Sequence, residues 1–278
     1  MAYIIINETD YNQEGNFQNN DNVMFYRRKT IKAGDTIEEE IIPVYRSRKG
    51  GVNLKPLPNR EKAQRHNAKV AAKSCKHLIN TNFGSNDLHV TATYSGPELP
   101  TQEQCEKDVR NFIRRINYER KKRGLPSAKY IYVIEGKTEE DKRIRVHTHI
   151  LLEGGLDRDT VENLWKAGRQ TGAPRGTCNA DRLQPGDMHL SPLAGYLMKD
   201  PKGRKRWKPS KNLKKPVVYI SDTAVKRKHV AGLARGEINA MDYWQKKYPG
   251  YVVRDVQIRT NSFAAGAAIS VQLQKIRC

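Results

Sequence analysis

The chain has 278 residues, enough for one main domain with extensions, and carries 51 Lys and Arg against 30 Asp and Glu, a formal net charge of +21 at a sequence pI near 9.8. The positive excess is spread along most of the chain, which points to a polyanionic partner, nucleic acid first. No long apolar run exists to span a membrane, and Cys75, Cys105, Cys178 and Cys278 are too scattered for a disulfide framework or a zinc knuckle.

In chain order, residues 1–58 read as an N-terminal arm with one or two short strands among "YIII", "VMFY" and "EEIIPVY". The start, "MAYIIINETDY", has neither the length nor the charge pattern of a signal peptide, and with the scattered cysteines a reducing cytoplasm is the expected location. Asn59 is placed to cap a basic helix over 60–78, with Val70, Ala71, Cys75 and Leu78 as its apolar stripe. "DLHVTATYS" alternates as a strand does. A helix follows, opened by the capping-box pattern of Thr101 and Gln104, built on Val109, Phe112, Ile113 and Ile116, and stopped at Gly124.

"KYIYVIE" reads as a strand, "GKTEEDKR" as a charged turn and "IRVHTHILL" as a second strand. "LDRDTVENLWKAG" reads as a helix between Asp157 as N-cap and Gly168 as C-cap. A short strand around "GTCNADRLQ" precedes a helix that starts at Ser191-Pro192 and runs through "LAGYLMKD". This order predicts an α+β fold of the ferredoxin-like, RRM-like split βαβ kind over residues 59–220. The histidine strand is expected at the centre of an antiparallel sheet, with helices on one side and basic extensions at both ends. Residues 221–278 form the second extension, with helical "AVKRKHVAGLA" and "NAMDYWQKK" and strand-like "YVVRDVQIRT" and "ISVQLQKI".

Alternation puts His147 and His149 on one face of their strand and Val146, Thr148 and Ile150 on the other. A hairpin about the charged turn sets Glu135 opposite His147 with its side chain on the same face. Two imidazoles and one carboxylate suit Mn²⁺ or Mg²⁺ in work on phosphates, and would also accept Zn²⁺ or Co²⁺. His89, on the strand expected to flank the histidine strand on its other side, is a rival third ligand. It ranks below Glu135 because such metals prefer a carboxylate. The bland reading is a pair of hydrogen-bonded histidines with no metal.

Tyr196 and Lys199, three apart on the helix after the sheet, share a face, so an ammonium would stand beside a phenol. From Lys199 to Lys215 the chain is densely basic around one tryptophan. Lys202, Arg204, Lys205, Arg206, Lys208 and Lys211 are expected at phosphates, and Trp207 on an unpaired base.

Together, His147-Thr148-His149 in an apolar strand, Glu135 on the strand before it and Tyr196-x-x-Lys199 on a later helix resemble the motifs of the HUH endonucleases, the Rep-type initiators of rolling-circle replication. "LHVTATYS" resembles that family's first strand motif, and the likeness spans roughly residues 59–220. Order favours Rep proteins of small phages or plasmids over relaxases, since the tyrosine follows the histidines. Thr148 stands where the family has a bulkier hydrophobic residue, and no second tyrosine follows Tyr196 at one-turn spacing, as in single-tyrosine members.

The resemblance implies a metal-dependent nickase of single-stranded or extruded origin DNA. Its nucleophile would be Tyr196, and a host helicase and polymerase would be its partners. Two other readings stay open: a single-tyrosine transposase or mobilisation nickase, and a non-catalytic nucleic-acid-binding module.

Overall fold

The computed structural model of the chain describes residues 4–7, 23–45, 60–95, 100–136, 146–166, 175–198, 207–260 and 266–276. In chain order the elements are β1 (Ile4–Asn7), β2 (Val23–Ala33), β3 (Thr36–Tyr45), α1 (Arg60–Asn82), β4 (Leu88–Thr93), α2 (Gln102–Lys122), β5 (Tyr130–Glu135) and β6 (His147–Leu152). They continue as α3 (Arg158–Asn163), β7 (Cys178–Arg182), α4 (Ser191–Leu197), β8 (Trp207–Pro209), β9 (Val217–Ser221), α5 (Arg227–Ala234), α6 (Ala240–Lys247), β10 (Tyr251–Thr260) and β11 (Ala267–Lys275). No helix among the described residues is long and apolar enough to cross a membrane.

The chain divides into two compact units. One comprises 58–186 and 190–215 and holds a five-stranded antiparallel sheet in the order β7-β4-β6-β5-β8. Its first four strands follow the ferredoxin-like order, with the histidine strand β6 at the centre and β8 added beside β5. One face carries Leu88, Val90, Ala92, Tyr132, Ile150 and Leu152 against Val109, Phe112 and Ile116 of α2 and Val161 of α3. The opposite face carries Ile131, Val133 and Leu151 against Cys75 and Ile79 of α1, Phe83 just after it, and Ala194 and Leu197 of α4. Helices therefore cover both faces, where one was expected. In the second layer α1 runs four residues further than expected, to Asn82. Its buried stripe is Cys75 and Ile79, continued by Phe83 just past its end, while Val70 is exposed.

Thr101 caps α2 by accepting from the Gln104 N–H at 3.2 Å, but the Gln104 side chain donates to Asp108 at 2.8 Å, so the capping box is half made. Asp157 caps α3 as expected, accepting from the Thr160 N–H at 2.7 Å. That helix ends at Asn163, well short of Gly168, which lies outside the described residues. The chain turns there to bury Trp165, whose Nε1 donates to the Thr93 carbonyl at 2.8 Å and whose ring meets Tyr94 and Phe112 edge-on. The charged turn "GKTEEDKR" also lies outside the described residues from Lys137 on.

The other unit comprises 1–57, 187–189 and 216–278 and holds a six-stranded sheet in the order β1-β10-β11-β3-β2-β9. All its pairs are antiparallel except β1 with β10. The arm expected over 1–58 thus supplies two long strands, and the segment after 221 supplies their neighbours and the covering helices α5 and α6. β9, at 217–221, pairs with β2 and so belongs with this sheet, although the sequence reading ends the central domain at 220.

Candidate metal centre and adjacent tyrosine

The hairpin of β5 and β6 fixes the site. Glu135 pairs with His147 and Val133 with His149, so alternation turns Glu135, His147 and His149 to the face that carries α1 and α4. Thr148, Ile150 and Leu152, between and beyond the histidines, point into the other layer and anchor the strand. Ligand atoms of Glu135, His147 and His149 lie within 4.8 Å of one another. The Glu135 carboxylate is 3.4 Å from His147 Nε2 and 4.0 Å from His149 Nε2.

These residues fit a divalent cation. His149 Nε2 is buried with no hydrogen-bond partner among the described residues, and a carboxylate and a second imidazole converge beside it. Burial, helped by the neighbouring His89, lowers the His149 pKa to about 4, so the ring is neutral and its lone pair is available near pH 7. His89 itself is held below its usual value, chiefly by burial. It lies outside the three-ligand cluster, with Nε2 3.1 Å from His149 Nδ1, so the rival ligand of the sequence reading is a neighbour of a ligand.

Helix α4 brings Tyr196 to the same place. Ala194 and Leu197 bury one side of the helix, and Asn80 of α1 donates to the Ser191 hydroxyl at 3.0 Å where the helix begins. Tyr196 falls on the other side, 51 % exposed, with its ring edge-on to His149 at 5.7 Å between centroids. Residues 87–201 match the family model of the replication-associated protein ORF2. The match covers less than half of the chain, from the start of β4 to just past α4, and so takes in Glu135, His147, His149 and Tyr196. Similarity to this replication-associated family supports a replication-initiation role. No curated protein and no solved structure shows a significant match to the chain.

Only part of the basic segment falls among the described residues. Lys199, Lys202, Arg204, Lys205 and Arg206 lie outside the described residues. Trp207, expected as a stacking platform, opposes Val133 in β8 and is 6 % exposed in the α1 and α4 layer, so its indole is core and offers no open face to a base. Lys208 pairs with Tyr132, which turns it to the α2 face, where its ammonium lies 2.6 Å from the Glu106 carboxylate. Lys211 is exposed in the turn after β8. Sequence reasoning missed the coupling of His89 and Thr91 to His149; its signal is the pairing of β4 with β6, which sets Thr91 opposite His149.

Proposed function

We propose that the chain is a strand-specific DNA endonuclease of the HUH type that nicks a replication origin and stays joined to the 5′ phosphate through Tyr196. The observation that carries this is the Tyr196 ring set against His149, beside a Glu135, His147 and His149 cluster with the donor set for a divalent metal. Mn²⁺ or Mg²⁺ held there supplies Lewis-acid polarisation of a phosphoryl oxygen. Tyr196 Oη attacks the phosphorus and gives its phenolic proton to solvent, the new O–P bond replaces the bond to the 3′ oxygen, and that oxygen takes a proton from solvent and leaves as a hydroxyl. One phosphodiester becomes another, so the 3′ hydroxyl can reverse the step and reseal the strand. In this reading Lys199 offsets charge at the phenol, and Lys202, Arg204, Lys205, Arg206 and Lys211 contact backbone phosphates of unpaired DNA. The match to a replication-associated family supports DNA as the partner.

The test uses a supercoiled plasmid carrying the DNA that flanks the gene, with Mn²⁺. Wild type is expected to give nicked circles with protein attached, and Tyr196→Phe to bind but not nick. A nucleotide mapped to Tyr219, Tyr94 or any residue other than Tyr196 sinks the assignment. Cleavage without an adduct sinks the mechanism, and binding without cleavage by the wild type leaves a nucleic-acid-binding module.

A further inference from the structure

The two ring nitrogens of His149 have different surroundings. Nε2 is buried, faces the Glu135 carboxylate at 4.0 Å and has no hydrogen-bond partner among the described residues. Nδ1 lies 3.1 Å from His89 Nε2 and 3.3 Å from the Thr91 hydroxyl. The His89 and His149 rings stack, 5.1 Å between centroids and 26° from parallel. A neutral imidazole carries one ring proton, so the contact between these rings has two arrangements. If His89 donates from Nε2, the His149 proton sits on its own Nε2 and blocks a cation there. If His149 donates from Nδ1, its Nε2 keeps a lone pair, and the proton of His89 moves to Nδ1.

We propose that His89 is a positioning residue that accepts from His149 Nδ1 and so fixes the ring orientation and tautomer in which Nε2 can ligate a cation. Asp181 opposes His89 in the pairing of β4 with β7, its carboxylate accepting from Arg158 at 3.0 Å and from the Asn179 amide at 2.6 Å. Thr91 does not impose a choice, since a hydroxyl can donate to Nδ1 or accept from it. Partners of this kind orient metal-bound histidines generally, and their loss costs roughly 10- to 100-fold in metal affinity. The inference rests on the proposed function only for the presence of a cation.

The experiment takes the full chain with ¹⁵N-labelled histidines. In the metal-free protein, long-range ¹H–¹⁵N spectra are expected to show both His149 and His89 protonated on Nδ1. By calorimetry with Mn²⁺ alone, His89→Ala is expected to bind roughly 10- to 100-fold more weakly. His89→Gln, whose amide oxygen can accept the same proton, is expected to recover most of that loss, and Thr91→Val to stay close to wild type. A His149 proton on Nε2, or wild-type affinity in a folded His89→Ala, overturns the proposal. Should His89→Ala fail to fold, the wild-type spectrum alone decides. Intact spectra and Mn²⁺ binding without DNA nicking would instead sink the endonuclease reading and leave the role of His89 standing.

Discussion

At the scale of single residues, each side chain on β6 is decided by which face of the strand it takes. His147 and His149 share theirs with Glu135, and removing both imidazoles takes away two of the three candidate ligands. The His147→Ala, His149→Ala double variant is expected to lose Mn²⁺ binding in calorimetry while circular dichroism stays unchanged. Glu135→Ala is expected to lose less, because water can fill one coordination position. Undiminished affinity in the double variant would refute the ligand set. Burial of His149 also has a pH signature. Its folded-state pKa near 4 lies below the ordinary 6.5, so between these values the unfolded chain binds the proton and the folded one does not. Stability of the metal-free protein is therefore full above pH 6.5 and falls by about 3 kcal/mol as the pH drops to 4. Urea midpoints for wild type and His149→Gln should converge or cross as the pH falls; parallel curves would show that His149 is not the group responsible.

At the scale of elements, β8 is a three-residue strand with its tryptophan in the core. Trp207→Ala is expected to cost about 3 to 5 kcal/mol in chemical denaturation, with DNA affinity unchanged per folded molecule. Weaker DNA binding at unchanged stability would restore Trp207 as a stacking group. The five elements from β4 through β6 to the start of α3 were legible because each signal is local: alternation in "LHVTAT" and "HTHILL", helical spacing from Val109 to Ile116, and caps at Thr101 and Asp157. The clustering of Glu135, His147 and His149 was legible for the same reason, since one hairpin register places it. Elements decided by distant partners were not. Ionic and polar residues in "VMFYRRKTIKA" and "TIEEEIIPVY" read as an arm with one or two short strands, yet these are the two long strands β2 and β3. The role of Trp207 depends on Val133, far back in the chain, and charge around a tryptophan gives no sign of that pairing.

At the scale of the molecule, the unit that joins the two ends of the chain is held partly by a buried charge. Glu39 is fully buried and accepts from Lys247 Nζ at 2.6 and 2.8 Å, from Trp244 Nε1 at 3.1 Å and from the Tyr248 hydroxyl. Burial raises the Glu39 pKa, and Lys247 with Tyr248 and Trp244 more than offsets it, holding the carboxyl below its usual value. Lys247→Met leaves the carboxylate without its counter-charge and is expected to destabilise this unit by about 3 to 5 kcal/mol. Hydrogen exchange on β3 and β11 should report the loss, and unchanged protection there would show that the pair contributes nothing.

The strand order of this sheet also sets a sequence of events during synthesis. β3 lies between β2 and β11, so its pairing is incomplete until residues 267–275 have been made. Until then Ile37 and Ile41 of β3 have only part of their final cover. The histidine-bearing unit needs nothing beyond residue 215. A ribosome therefore delivers all of that unit's chain first, while the earliest strands to emerge must wait for the latest.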